Sequence, residues 1–315
     1  MIEVKNLTKR FGSNYAVNDI SFTVNDGEIL GFLGPNGAGK TTTMNMITGY
    51  ISATSGDCII NGADILAQPE KAKKNIGYLP ENPPLYNDMT VMEYLNFVAE
   101  IKKVKPAERK KSVRTLMETV KITDMKNRLT KNLSKGYRQR VGLAQAMMGN
   151  PDVLILDEPT IGLDPKQINE MREVIKSLGK KHTVILSSHI LTEVSAMCDR
   201  VMIISRGKIV ASDTTENLSA AFAGAGKLLI RVKAERERVL DALSQIPGIS
   251  AGGEISREAG TLDFTITSEE DTDIREAVFN AMHRNGISLL MMKPFDVSLE
   301  DIFLQVTSSD GGEAQ

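Results

Sequence analysis

The sequence predicts an α/β fold with a mainly parallel sheet, followed by a smaller α+β domain. Over residues 1–215, short apolar runs typical of buried strands alternate with amphipathic helical patterns, and this alternation is characteristic of parallel sheets. After a weakly patterned stretch at residues 217–227, four strand patterns alternate with two helical patterns. At 315 residues, the chain is long enough for two domains that each have their own core.

The overall composition is that of an ordinary globular protein, with 41% hydrophobic and 25% charged residues. The formal net charge of −2 gives no electrostatic reason to expect a nucleic-acid partner. No apolar run approaches membrane-spanning length, so we expect no transmembrane helix. The N-terminus lacks the apolar segment of a signal peptide, so we expect no signal peptide there. The two cysteines, Cys58 and Cys198, lie in apolar contexts and are expected to be reduced, buried thiols.

The chain opens with two strand patterns, at residues 2–7 and 20–24, in which apolar residues alternate with polar ones. Residues 25–27 read Asn-Asp-Gly, which is a strong turn signal. An apolar run follows at residues 28–33. This order predicts a hairpin between the second strand and the apolar run.

Residues 34–41 read GPNGAGKT directly after that run, which is the pattern of a phosphate-binding loop between a strand and a helix. Glycines allow main-chain N–H groups to form a concave nest for phosphate oxygens, and the helix at residues 42–48 adds its positive end. We expect Lys40 to reach the β- and γ-phosphates and the Thr41 hydroxyl to bind Mg²⁺. The predicted nucleotide contacts here are Gly34, Pro35, Asn36, Gly37, Ala38, Gly39, Lys40, Thr41 and Thr42.

Residues 82–150 are predicted to be a helical block inserted into the α/β domain. A capping box at residues 90–93 precedes one amphipathic helix, and a second helix is predicted at residues 107–121. Between them, residues 102–111 contain six basic residues in ten. This basic stretch is either a solvated helix end or a surface near anionic lipid headgroups.

The α/β pattern returns after this block with a continuous apolar run that ends in Asp157 and Glu158. We expect Asp157 to hold Mg²⁺ and Glu158 to polarise a water molecule that attacks the γ-phosphate. His189 follows a later strand, where a neutral imidazole can contact the γ-phosphate or that water. Strands are predicted at residues 57–60, 153–156, 183–187 and 201–205, with a helix at residues 166–179.

A second candidate anion site lies at residues 133–140, LSKGYRQR, where Ser134 is placed to cap a helix and Gly136 leaves the backbone bare. A chain that already has a phosphate-binding loop needs no second anion site for the nucleotide bound to that loop. We therefore expect Ser134 and Gly136 to serve a nucleotide bound to a second copy. Residues 162–164, Gly-Leu-Asp, are predicted to be a subunit-contact loop that includes Asp164.

The last part of the chain has the order β-α-β-β-α-β, which is typical of a small ferredoxin-like domain. The strands are predicted at residues 228–232, 251–256, 261–266 and 287–292, and the helices at residues 235–245 and 273–285. A final helix is predicted at residues 298–306. The predicted divisions are 1–218 for the nucleotide-binding domain, 227–307 for the accessory domain and 308–315 for a disordered tail.

In order and spacing, these motifs resemble those of ATP-binding cassette (ABC) ATPases over about residues 1–215. The form of residues 133–146 is similar to ATPase subunits of exporters that pair with a separate membrane protein, including drug-efflux and gliding-motility systems. The resemblance implies a P-loop NTPase fold of ABC type with a helical subdomain, and two copies that close head to tail around two Mg-ATP. It also implies that Phe11 stacks on adenine; the alternative is a phenylalanine of the core.

The chain departs from the family pattern at the helix start and after residues 78–80. Lys135 and Tyr137 replace the usual glycine and glutamine, while Ser134 and Gly136 remain. Glu81 stands where the family usually has a glutamine that touches Mg²⁺ and water. An ionised carboxylate binds Mg²⁺ but donates no hydrogen bond, so we expect Glu81 to bind the metal with Thr41 and Asp157 and to alter coupling.

The resemblance implies an ATPase subunit that drives export through an integral membrane permease subunit and lies on the inner face of the cell membrane. A soluble ABC ATPase that acts on a ribosome or DNA is the alternative, although the single cassette and the lack of basic excess argue against it. A purely regulatory nucleotide binder is a third class. The presence of Glu158 and His189 argues against that class.

Overall fold

The computed structural model describes residues 1–215, 217–218, 227–258, 261–268 and 273–294. The chain divides into two compact units, Met1–Thr215 and Glu216–Gln315. The predicted helix at residues 298–306 and the predicted tail at residues 308–315 lie outside the described residues.

The first unit is built from two sheets and the helices that accompany them. Its strands are β1 (Ile2–Phe11), β2 (Asn14–Val24), β3 (Ile29–Leu33), β4 (Ser55–Ile60), β5 (Ala63–Asp64), β6 (Ile76–Leu79), β7 (Val153–Asp157), β8 (Thr183–Ser188), β9 (Arg200–Ser205) and β10 (Lys208–Asp213). Its helices are α1 (Lys40–Ile47), α2 (Pro69–Lys74), α3 (Val91–Ile101), α4 (Pro106–Thr119), α5 (Lys135–Met147), α6 (Pro165–Gly179) and α7 (Leu191–Met197). Within the described part of the chain, no helix has the length and apolar character needed to cross a membrane.

Six strands form the central sheet, in the order β10-β9-β3-β8-β7-β6. Strands β6, β7, β8, β3 and β9 run parallel, and β10 pairs with β9 antiparallel. Every residue of β3, β7 and β8 is buried, as expected for strands covered on both faces. The predicted mainly parallel sheet is confirmed. The carboxyl ends of its parallel strands meet at one edge, where ligands bind in open α/β sheets.

The other sheet has the order β2-β1-β4-β5 and is antiparallel. The predicted hairpin between β2 and β3 is wrong, because β3 belongs to the central sheet and pairs with β8 on one side and β9 on the other. With both edges of β3 hydrogen-bonded, no backbone groups remain for β2. The turn at residues 25–27 instead carries the chain from one sheet to the other, and the Glu28 N–H donates to the Asn25 carbonyl at 3.1 Å.

Between β6 and β7 the chain forms α3, α4 and α5. The predicted capping box is present: the Thr90 hydroxyl accepts from the Glu93 N–H, and the Glu93 carboxylate accepts from the Thr90 N–H. Ser134 caps α5, with its hydroxyl accepting from the Tyr137 N–H at 3.4 Å. Local capping signals therefore determine where α3 and α5 begin.

The sequence patterns miss β5, α2, β6, α7 and β10. Strand β6 has only four residues and includes Gly77, where an added Cβ would lie 2.0 Å from the Ala146 carbonyl oxygen. The glycine lets α5 lie directly against the strand. It also weakens the local strand signal, since glycine is depleted in strands. This strand leads directly into the segment that carries Glu81.

The second unit has one antiparallel sheet, in the order β12-β13-β11-β14, and two helices. Its strands are β11 (Lys227–Lys233), β12 (Ile249–Glu258), β13 (Thr261–Ser268) and β14 (Ser288–Pro294), and its helices are α8 (Arg236–Ser244) and α9 (Arg275–Arg284). Ile230 and Phe264 from the sheet belong to one core cluster with Val239 and Val278 from the helices. These elements lie within a few residues of their predicted positions.

Candidate active site

The loop between β3 and α1 is a main-chain cup at the carboxyl edge of the central sheet. Gly37 and Gly39 have φ angles of +81° and +107°, which side chains with a Cβ rarely adopt. At Gly34, an added Cβ would lie 2.5 Å from the Ile204 carbonyl oxygen, so the loop packs directly on β9. Helix α1 begins at Lys40, and its first N–H groups have no partner within the helix. The loop therefore has the geometry of an anion site.

A pocket of about 320 Å³ opens at this loop. Its lining comes from the loop, the first turn of α1 and the segments after β6 and β7. The lining residues are Ala16, Asn36, Gly37, Gly39, Lys40, Thr41, Thr42, Glu81, Glu158 and Ile161. Of the predicted phosphate contacts, Gly34, Pro35 and Ala38 belong to the loop without lining this pocket.

Lys40 is held inside the cup with only 6% of its surface exposed. Its Nζ donates to the Gly34 carbonyl at 2.7 Å and to the Pro35 carbonyl at 3.3 Å, and it lies 3.5 Å from Glu158 Oε1. A buried ammonium needs an opposite charge nearby. In this structure Glu158 supplies that charge, and phosphate oxygens in the cup would supply it in a complex.

Asp157 ends β7 and is fully buried. Its Oδ1 accepts from the Ser187 hydroxyl at 2.5 Å, while its Oδ2 has no hydrogen-bond partner among the described residues. Burial raises the pKa of this carboxyl, and the hydroxyls of Ser187 and Thr41 act in the opposite direction. A buried carboxylate oxygen without a partner is a ligand that a hydrated divalent cation can use. Asp157 does not line the 320 Å³ pocket but borders a groove beside it together with Thr41, and these two oxygen ligands fit Mg²⁺.

Glu158 lies between Lys40 and His189, and it is 5% exposed. Its Oε2 is 2.9 Å from His189 Nδ1, and its main-chain N–H donates to the Ser187 hydroxyl at 2.9 Å. The φ angle of Glu158 is +48°, a left-handed conformation that costs a residue with a Cβ about 1–3 kcal/mol. Such strain persists where surrounding structure imposes it. The Glu158 carboxylate therefore joins the Lys40 ammonium, which lines the pocket, to the His189 imidazole, which contacts Glu158 but is not among the lining residues.

Sequence reasoning missed several residues that organise this cluster. Ser187 bridges the Asp157 carboxylate and the Glu158 N–H from the neighbouring strand β8. Thr160 and Glu193 are both buried, and the Thr160 hydroxyl donates to the Glu193 carboxylate. For Ser187, the signal was its position two residues before His189 in the same motif. For Glu193 there was none, because α7 was not predicted.

Glu81 is half-buried and faces two cavities. It lines the 320 Å³ pocket and also a wider groove of about 840 Å³, which Thr41 and Asp157 border as well. The structure therefore brings together the three predicted metal ligands around one space. The Glu81 main-chain carbonyl accepts from Gln139 Nε2 at 2.7 Å.

Phe11 ends β1 and is 54% exposed, which excludes the alternative of a core phenylalanine. Lys9 Nζ lies 5.1 Å from the centre of its ring. The ring is available for stacking and lies outside the lining of the phosphate pocket. Its predicted role at adenine stays a prediction.

Ser134, Gly136 and Asp164 do not line the phosphate pocket of their own chain. Ser134 is exposed at the start of α5, and Asp164 caps α6 by accepting from the Gln167 N–H at 2.8 Å. An added Cβ at Gly136 would lie 2.3 Å from Gln167 Oε1, so the starts of α5 and α6 pack closely. Ser134 and Asp164 are exposed near the Gly162 turn, whereas Gly136 is buried against Gln167.

No group of three histidine, cysteine, aspartate or glutamate residues in the described ranges could hold a metal ion by itself.

A glycine cup between a parallel strand and a helix, a buried lysine in the cup and a carboxylate at the end of a neighbouring strand define a P-loop nucleoside triphosphatase. Comparison with known proteins narrows the class. The family described as ABC transporter matches residues 17–161.

Two Bacillus subtilis (strain 168) proteins are similar along the whole chain. An uncharacterized ABC transporter ATP-binding protein, YhcH, is 36% identical over 320 residues, covering 100% of this chain and 98% of the relative. The linearmycin resistance ATP-binding protein LnrL is 31% identical over 308 residues, covering 98% of each. A solved structure described as the ATP-binding subunit of an ABC transporter has a TM-score of 0.65 at 30% identity, covering 70% of this chain and 93% of that one.

The chain belongs to the family of ABC transporter ATP-binding proteins. ATP binding and ATP hydrolysis are the activities of this family. The resemblance inferred from the motifs is therefore confirmed.

Proposed function

We propose that two copies of this chain, or one copy and a homologous subunit, close around two ATP molecules with Mg²⁺ and drive export through a separate membrane subunit. One observation carries the proposal: Glu158 lies between Lys40 of the glycine cup and His189, and it directly follows Asp157, whose buried Oδ2 has no partner among the described residues. This arrangement combines charge neutralisation with a base, which phosphoryl transfer to water requires.

Each residue has a separate task in hydrolysis. The cup and Lys40 bind the β- and γ-phosphates, and Glu158 accepts a proton from the attacking water while His189 orients its carboxylate or the γ-phosphate. Thr41, Asp157 and Glu81 would hold Mg²⁺ through direct contacts or water. When bound, the ion would neutralise phosphate charge.

A pair of copies accounts for Ser134, Gly136 and Asp164, which lie outside the phosphate pocket of their own chain. Ser134 is exposed, caps a helix start and stands outside its own chain's phosphate pocket. A helix start with free N–H groups binds anions, so this helix start would complete the pocket of the opposite copy. ATP contacts made only in the closed pair would shift an open–closed equilibrium, and hydrolysis would reset it.

The 840 Å³ groove supports a dock for the membrane subunit. It is bordered by the Pro80–Pro84 segment and by Tyr50, Tyr78 and Lys102. Tyr50 is 78% exposed, an unusual position for a large aromatic side chain and one typical of interfaces. The dock would hold the chain at the inner face of the cell membrane.

Two finer features of the fold belong to this proposal. Helices α3, α4 and α5 would form the helical subdomain of an ABC ATPase, since they lie together between β6 and β7. The strand order β12-β13-β11-β14 supports a ferredoxin-like accessory domain, which would stabilise or regulate the pair.

The transport role is tested by isolating the tagged full-length chain from membranes of its own host. We expect a multi-span polypeptide to co-purify in detergent and to raise the ATPase rate when the two are reconstituted. Substitution of Tyr50 by alanine should weaken that association and leave basal hydrolysis unchanged. Recovery of the chain with ribosomes or DNA, and not with membranes, would instead support the soluble alternative.

We expect Glu81→Gln to retain ATP hydrolysis within about 10-fold and to change the rate stimulated by the membrane subunit. A glutamine amide can donate a hydrogen bond to water or phosphate, whereas an ionised carboxylate cannot. The measurement is steady-state phosphate release with and without the reconstituted partner. Glu118→Gln on α4 is the matched control, because Glu118 is exposed and pairs with Arg114. Loss of all ATP binding in the Glu81 variant would contradict this role.

A further inference from the structure

We propose that Gln139 is a positioning residue that fixes Glu81 at the phosphate pocket. Gln139 lies on α5, the helix whose start is the proposed contact with the opposite nucleotide. The inference rests on the proposed function. It adds that α5 determines the position of Glu81 through Gln139.

The first support is a direct and buried hydrogen bond. Gln139 is 1% exposed, and its Nε2 donates to the Glu81 main-chain carbonyl at 2.7 Å. Gln139 follows Ser134 by five residues, which is about 7.5 Å along a helix axis. The exposed start of α5 is therefore about one and a half helix turns from the residue that is hydrogen-bonded to Glu81.

The second support is the chemistry of the glutamine itself. Its Oε1 is buried without a hydrogen-bond partner in the part of the chain that the structure describes. A buried polar atom without a partner destabilises a fold, so an apolar side chain of similar size would serve packing better. What a glutamine adds at this position is the Nε2 donor, and the Glu81 main-chain carbonyl accepts its hydrogen bond.

The third support is the tight packing of α5 on the segment from β6 to Pro83. An added Cβ at Gly142 would lie 2.7 Å from Leu79 Cδ1 and 2.7 Å from Pro83 Cγ. At Gly77, an added Cβ would lie 2.0 Å from the Ala146 carbonyl oxygen. Since neither contact has spare space, the helix and the residues on both sides of Glu81 keep a fixed relation, and the Gln139 bond holds Glu81 within it.

The test is a double-mutant cycle that combines Gln139→Leu with Glu81→Ala. We expect Gln139→Leu to lower kcat or raise the required Mg²⁺ concentration by about 10-fold in the wild-type background. In the Glu81→Ala background the same substitution should change either quantity by less than about 2-fold, because the side chain that it positions is absent. Gln139→Met, which also lacks the donor, should give the same pattern and serves if the leucine variant folds poorly.

A second readout needs neither nucleotide nor metal. Hydrogen exchange of the free protein should quicken in Gln139→Leu at the Leu85 amide, which lies four residues after Glu81 and donates to the Pro83 carbonyl at 2.9 Å. Gln145→Leu is the matched control: Gln145 is on the same helix, but its side chain accepts from the Tyr94 hydroxyl, whereas that of Gln139 donates to the Glu81 carbonyl. That control should leave exchange at the Leu85 amide unchanged.

Equal effects of Gln139→Leu in both backgrounds would overturn the proposal, as would unchanged kinetics together with unchanged exchange at the Leu85 amide. A wild-type chain that hydrolyses no ATP would instead count against the proposed function, whereas the exchange result would still decide whether Gln139 holds the segment.

Discussion

Glu158→Gln is expected to bind ATP and to hydrolyse it at least ~10²-fold more slowly, the lower end of what general-base assistance contributes. Glutamine keeps the size of the side chain, but its amide cannot accept a proton from water. The Glu158 carboxylate lies 2.9 Å from His189 Nδ1 and 3.5 Å from Lys40 Nζ, beside the cup that we propose binds the phosphates. Steady-state phosphate release measures the rate, and equilibrium binding of a fluorescent ATP analogue measures affinity.

The same variant tests the pair of subunits. Because ATP persists when hydrolysis is slow, we expect ATP with Mg²⁺ to convert the Glu158→Gln variant into a dimer in light scattering. Glu173→Gln is the matched control, since Glu173 is exposed and pairs with Lys121 at 3.4 Å. An unchanged steady-state rate would remove Glu158 from the role of base. A variant that binds ATP and stays monomeric would count against the shared nucleotide site.

Lys40→Ala is expected to weaken ATP binding by about 10- to 150-fold, the range for losing hydrogen bonds to a charged group. Turnover should fall by at least about 10²-fold, since a donor to the transferred phosphate disappears. The physical reason is local: Lys40 is the buried cation of the cup, and without it the Glu158 carboxylate would face the phosphates with no intervening positive charge.

Isothermal titration with ATP and phosphate release measure the two effects of Lys40→Ala. Lys74→Ala on α2 is a suitable control, because Lys74 is exposed and lies outside the pocket lining. Lys40→Arg separates charge from shape, since the guanidinium fork does not fit a cup made for a point charge. Intact affinity and turnover in Lys40→Ala would refute the assignment of the cup to phosphate.

The candidate site was largely predictable because its residues carry local signals. Glycine spacing marked the cup around Lys40, and an apolar strand ending in two acids marked Asp157 and Glu158. The capping box at Thr90 and the cap at Ser134 were predictable for the same reason: a helix start depends on a few neighbouring residues.

What the sequence did not reveal depends on contacts between distant parts of the chain. The hairpin predicted from residues 25–27 was wrong because the turn signal says nothing about which sheet the next strand joins. Strand β6 was missed because it contains Gly77, a residue that is rare in strands. Only glycine fits there, since any Cβ would collide with the Ala146 carbonyl oxygen on α5. Ser187 and Gln139 act through hydrogen bonds to residues 30 and 58 positions away in the chain. No local pattern encodes such partners.

The left-handed backbone of Glu158 sets stability against turnover in this chain. Glycine and asparagine adopt that conformation with less strain, so either residue at position 158 would relax the main chain but would remove the carboxylate that we propose as the base. We therefore expect Glu158→Gly or Glu158→Asn to lose turnover without losing stability at this backbone position.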